Sequence, residues 1–177
     1  MFDARTFPKT LDDTKRILLE KEAVFKGEYK IHDIIFSSKN PKETLDKVFL
    51  RLRLIPVNIW DEKGIIVAIK NTELKEVGKQ SKILIKEQFD TEADARKFIE
   101  ENYSDRFQYF FEFDRTGWQY FIGEDGIDLE DIEGHFSIEF KSKTEEGLRK
   151  LLSAFNIQAE EVLKDPSIII IRDLLGR

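Results

Sequence analysis

Cysteine is missing from the 177-residue sequence, which excludes disulfides, thiolate metal centres and thiol nucleophiles and fits a reducing compartment. Only two histidines occur, His32 and His135, on separate predicted strands; no Cys/His zinc spacing exists, and structural or surface roles outweigh a general-base role for either. No apolar run reaches the roughly 18 residues that a membrane span needs, so the expected address is cytoplasmic, with no membrane partner. A surplus of positive charge is also lacking. The chain carries 29 Lys and Arg against 35 Asp and Glu, interspersed throughout, so no basic field draws it onto duplex nucleic acid and any anion site must be local. Neither a G-x-x-x-x-G-K-S/T phosphate loop nor a G-x-S-x-G nucleophile elbow is present.

What the sequence does have is strand signal. Fifteen Phe supply bulky filling for a β-rich interior, and the length suits a single domain over residues 1–177. MFDARTF predicts a strand, and TLDDTKRILLEKEA a helix capped at Thr10 or Asp12. VFKGEYKIHDIIFS, KVFLRLRLIPVNIW, GIIVAIKNTEL and KILIKEQF then read as four consecutive strands. TEADARKFIEENY reads as a second helix behind a Thr91 cap. FQYFFEFDRTGWQYFIG predicts a hairpin about Arg115-Thr116-Gly117, GEDGIDLEDIEG an acidic solvated linker, and HFSIEFKS a further strand. TEEGLRKLLSAFNI is a third helix; within 158–177, AEEVLKD predicts a short fourth and SIIIIRDLL a closing strand or wall-packing segment. The expected class is α+β: about eight strands suffice to close an antiparallel β-barrel with flanking helices, and an open sheet with helices on one face is the alternative.

The charges follow the strands. In FLRLRL the period of a strand sets Arg51 and Arg53 on one face and Leu50, Leu52 and Leu54 on the other. Two guanidiniums roughly 7 Å apart form a fork for phosphate oxygens. Lys70 ends the apolar VAIK, Lys82 and Lys86 share a face of KILIK, and Asp3 shares one with Arg5. In an open sheet this is ordinary polar-out alternation. In a closed barrel wrapped by helices the apolar face packs outward, and the charges line a lumen where they repel unless acids or an anion compensate them.

Five stretches fall in one order along almost the whole chain: Met1-Phe2-Asp3-Ala4-Arg5; TLDDTKRILLEKEA with HDIIF; Leu50-Arg51-Leu52-Arg53; Val67-Ala68-Ile69-Lys70; and Gly134-His135-Phe136-Ser137-Ile138-Glu139 before the helix of Glu146 to Leu152. In that order the chain resembles the CYTH (triphosphate tunnel) superfamily, whose corresponding segments read E-x-E-x-K, a helix with D-x-Y-F, L-R-x-R, LTYK and LG-x-F-x-E-I-E. The resemblance implies an eight-stranded tunnel in which Arg5, Arg51, Arg53, Lys70, Lys82 and Lys86 hold a triphosphate or nucleotide, while Asp3 and Glu139 hold Mg²⁺ or Mn²⁺. It also implies phosphoryl-transfer chemistry, with a triphosphatase expected ahead of an adenylate cyclase because hydrolysis asks only for water. Two segments depart from the family. Its R-E-E-x-E strand is Lys82-Ile83-Leu84-Ile85-Lys86 here, with Leu84 and Lys86 where carboxylates belong, and its K-x-R is not evident in FQYFFEF. Those losses define the alternative, a barrel without catalysis that serves as an anion sensor or protein-interaction module.

Overall fold

Period-two alternation runs through the strands of the computed structural model, whose description covers residues 1–8, 10–75, 77–162 and 167–177. The elements are β1 (Phe2–Thr6), α1 (Asp12–Glu20), β2 (Val24–Ser38), β3 (Val48–Val57), β4 (Ile65–Leu74), β5 (Lys79–Phe89) and α2 (Glu92–Tyr103). They continue with β6 (Phe107–Ile122), β7 (Asp125–Ile132), β8 (His135–Ser142), α3 (Glu145–Ala154), a 3₁₀ turn (Ala159–Glu161) and α4 (Ser167–Leu174). In space the strands run β1-β5-β4-β3-β2-β6-β7-β8 and close into a barrel. β1 makes the closure, pairing antiparallel with β5 on one side and β8 on the other. Closure leaves no edge to aggregate.

The helices decide which face is the inside. Leu50 and Leu52 of β3 and Val67 and Ile69 of β4 point outward and are covered by Ala95 and Ile99 of α2. On the opposite flank Ile127, Leu129, Ile138 and Phe140 are covered by α1 and α3 through Ile17, Leu18, Leu148, Leu151 and Leu152. Each such side chain stabilises the fold by about 1.5–3 kcal/mol when fully buried. The alternate residues, charged in the middle of the strands, are thereby committed to the lumen. α2 begins at the expected Thr91 cap, whose hydroxyl accepts from the Asp94 N–H, whereas α1 starts at Leu11 with no side-chain cap.

Apolar tiers pack at two levels of the lumen. Tyr29, Ile31, Ile55 and Ile66 form one. Ile35, Phe49, Phe111, Phe113 and Ile132 form the other, joined by Ile168 and Ile171 of α4. No helix among the described residues is long and apolar enough to cross a membrane.

Three expectations are corrected. Arg115-Thr116-Gly117 is not a hairpin: β6 runs unbroken past it, and Gly117 serves instead for close approach, since a Cβ there would collide with the Tyr29 ring. The acidic linker is strand β7, ending in a tight turn to β8 in which Glu133 and Gly134 both have positive φ. Of the two expectations for the Ser-Ile-Ile-Ile-Ile run, the wall-packing segment holds, as a helix whose Ile168 and Ile171 join the core, and the closing strand does not, because β1 and β8 already pair and leave no edge for it. Of AEEVLKD, the first three residues form the 3₁₀ turn, and 163–165 lie outside the described residues.

Candidate functional site

Between the apolar tiers lies a cavity of about 220 Å³, lined by seven cationic side chains and three carboxylates. That volume holds about seven waters at ~30 Å³ each, below the ~300 Å³ at which pockets accept whole drug-sized molecules. An anion with several oxygens fits there, and a complete nucleotide does not.

One wall is an alternating chain of charges. Asp128 of β7 contacts Lys141 of β8, whose Nζ also lies 3.0 Å from Glu139 Oε2. Glu139 Oε1 is 3.0 Å from Arg5 Nη2, and Arg5 Nη1 is 2.5 Å from Glu130 Oε2. The other Glu130 oxygen accepts from Arg115 Nη1 at 2.9 Å and from the Tyr29 hydroxyl at 2.7 Å. Arg115 Nη2 continues to Asp33 Oδ2 at 3.0 Å, and Asp33 takes Arg53 in a bidentate pair at 2.8 and 2.9 Å. Glu139, Glu130 and Asp33 thus each sit between cations, and Asp128 ends the chain on Lys141. Burial would raise the pKa of Glu130, but Arg115 and Arg5 outweigh it and hold the group down at about 2. Asp33 is likewise depressed, with Arg53, Arg115 and Arg51 overcoming its burial.

The facing wall is under-compensated. Arg51 reaches Asp33 only at 3.6 Å, an ion pair without hydrogen-bond geometry. Lys70 makes no ion pair or hydrogen bond among the described residues. Lys79 Nζ lies 3.0 Å from Asp3 Oδ1. Among the described residues, Arg51 and Lys70 therefore lack a carboxylate at hydrogen-bonding distance. Their protonation reflects this: Lys70 is driven well below its ordinary pKa by Arg51, by burial, and by Arg53 and Lys79. Burial, aided by Arg53 and Arg115, lowers Arg51 to about 9. An anion placed here would relieve both.

Of the residues expected from sequence, Arg5, Arg51, Arg53, Lys70, Asp3 and Glu139 all line this cavity. Lys82 and Lys86 do not. Lys82 lines a groove on the outer surface, and Lys86 pairs with Glu62. Lys79, Ser81 and Ile83 are the β5 residues at the cavity, so alternation turns Lys82 outward; a register shift between Ile69 and Lys70 then puts Lys86 on the other face from Lys82, opposite Ala68, where Glu62 takes it. Sequence reasoning missed Asp33, Lys79, Arg115, Asp128, Glu130 and Lys141. Their signal was the same alternation: in DGIDLEDI, Ile127 and Leu129 face the helices while Asp128 and Glu130 face the lumen. Arg115 was obscured by reading Gly117 as a turn.

Divalent-ion binding can be tested on the donors. Asp128, Glu130 and Glu139 offer carboxylate oxygens within 4.8 Å of one another, close enough to hold one ion. Asp3, the other expected ligand, is outside that triad and paired with Lys79. Every carboxylate of the triad already touches Lys141, Arg5 or Arg115. A doubly charged ion ~4 Å from the Lys141 ammonium would meet repulsion on the order of 8 kcal/mol at an effective dielectric of about 20. Its fit is therefore poor unless Lys141 leaves.

No protein-family model and no curated protein matches the sequence. Solved structures do match the fold. The PH1012 protein from Pyrococcus horikoshii OT3 superposes with a TM-score of 0.68 at 17% identity, covering 92% of this chain and 94% of that one. HpAC1 from Hippeastrum, an adenylyl cyclase candidate described as having a dominant triphosphatase activity, gives 0.62 at 15% identity over 88% and 86%. An adenylate cyclase candidate from Vibrio parahaemolyticus gives 0.60 at 18% identity over 92% and 93%.

Proposed function

We propose, for a chain whose barrel is of the CYTH type, that the lumen binds a triphosphate-class polyanion through Arg51, Arg53, Lys70 and Lys79, with Arg5 and Arg115 behind them. The observation that carries this reading is the pair Arg51 and Lys70: two cations facing the lumen cavity with almost no compensating acid, in a protein whose net charge is −6. Leaving such charges buried and unpaired is costly, and phosphate oxygens are the partners that a guanidinium grips in two places. The cavity volume favours inorganic triphosphate, or the phosphate tail of a nucleotide whose base stays outside.

Hydrolysis would follow from positioning and charge neutralisation, because phosphoryl transfer needs little covalent help. HpAC1, of similar fold, is described with triphosphatase activity, which supports hydrolysis ahead of cyclisation. Binding without turnover is the second reading, favoured by Lys141 standing among the carboxylates that would otherwise take a metal. Titration calorimetry with tripolyphosphate tests the binding claim, and phosphate release from tripolyphosphate and ATP tests turnover. Arg51→Met removes a side chain with one long ion pair, so the fold should survive while affinity falls about tenfold to a hundredfold, as for a lost charge-assisted contact. Unchanged affinity in a folded Arg51→Met variant would place the ligand elsewhere.

A further inference from the structure

The triad of Asp128, Glu130 and Glu139 is the one group of metal-ligating side chains among the described residues close enough to share an ion. Its cation requirement is nonetheless already met from within the chain. Lys141 projects from β8 two residues beyond Glu139, on the same lumen-facing side, with Asp3 and Gly126 as its cross-strand neighbours. Its ammonium touches Asp128 and stands 3.0 Å from Glu139. Asp128 is otherwise fixed by Gln119, whose Nε2 donates to Oδ1 at 3.0 Å, so the carboxylate is aimed with its second oxygen at the ammonium. Arg5 closes the remaining gap between Glu139 and Glu130. Three ligand carboxylates and an interposed primary ammonium form a set in which a tethered monovalent cation has the place of a free divalent one.

We propose that Lys141 acts as a built-in counter-ion in the seat of a divalent metal, so that the lumen takes its polyanion as the metal-free species. The inference rests on the polyphosphate reading above for its ligand, but not for its statement about metal. A hard divalent cation needs oxygen ligands of its own and retains water, and these carboxylates are already engaged by Arg5, Arg115 and Lys141, with Asp128 and Glu130 buried. A tethered ammonium also carries less charge than Mg²⁺, which leaves Arg51 and Lys70 to supply the attraction for phosphate.

The test combines two readouts on the full-length chain. Bound Mn²⁺ is measured by loss of the free-ion EPR signal, with no phosphate present, for wild type, Lys141→Glu and Lys141→Met. Tripolyphosphate affinity is measured by calorimetry in EDTA and in Mn²⁺. The expected result is no Mn²⁺ bound by wild type, binding by Lys141→Glu, and wild-type tripolyphosphate affinity at least as strong in EDTA as with Mn²⁺. Lys141→Met, which opens the seat without adding a charge, gains weaker Mn²⁺ binding and covers the case in which Lys141→Glu does not fold. Stoichiometric Mn²⁺ binding by wild type, or affinity about tenfold or more weaker in EDTA, overturns the proposal. Should wild type bind no tripolyphosphate under either condition, the polyphosphate reading fails, while the Mn²⁺ comparison still decides the role of Lys141.

Discussion

The two walls of the lumen are built from the same residue types and do opposite things. On β7, β8 and β1 every acid has a cation between it and the next acid, so the charges cancel and lock the strands together. On β3 and β4, among the described residues, Arg51 and Lys70 have no carboxylate at hydrogen-bonding distance and are held close to cations that repel them. The first arrangement holds the strands to one another, and the second is the one that the proposed polyanion would complete. Compensation, and not the mere presence of charge, separates a scaffold from a binding surface.

The sharpest break should come on the balanced wall. Glu130→Gln leaves Arg5 and Arg115 buried without their shared carboxylate, and such a loss costs about 3–5 kcal/mol, a fall in Tm on the order of 10 °C by calorimetry. The pH dependence has a definite sign. Glu130 is held at about 2, below its ordinary 4.5, so its contribution is complete above 4.5 and is lost as pH falls toward 2; acid unfolding of Glu130→Gln should be flatter in that window.

On the opposite wall the larger effect should be in binding and not in stability. Lys70→Met is expected to weaken tripolyphosphate about tenfold with little change in Tm. In the wild type an anion restores the suppressed proton of Lys70, so affinity should fall as pH rises and binding should take up protons. Calorimetry in buffers of different ionisation enthalpy measures that uptake. Well below pH 9, near neutrality, Arg51 is charged, so uptake there is expected from Lys70 and should shrink in Lys70→Met. The smallest effect is expected from Lys82→Ala, an exposed cation on the outer surface, which should leave affinity within about twofold because solvent screens it. A large loss in that variant would mean that the anion lies outside the barrel.

Much of this was legible in advance because strands declare themselves by alternation. Arg51 and Arg53 share a face by period alone, and Arg5, Lys70, Asp3 and Glu139 were recovered the same way. Failures came where alternation was interrupted or overridden. The register shift beside Lys70 put Lys82 and Lys86 on different faces, Lys82 outward and Lys86 paired with Glu62. Gly117 looked like a turn because nothing local shows the Tyr29 ring it must admit. Ser167–Leu174 left closing strand and wall-packing segment open, and it is a wall-packing helix because no strand edge remained for it.

By itself the sequence determined which residues could share a face, since side-chain direction along a strand depends only on backbone geometry. It likewise excluded thiol chemistry through its composition. Only the tertiary structure decided which face was inside. Closure through β1 and the covering helices turned the charged side toward a cavity, and the pairing of strands distant in sequence decided which charges cancel. Those pairings join residues as far apart as Arg5 and Glu130, a separation over which no local pattern can speak.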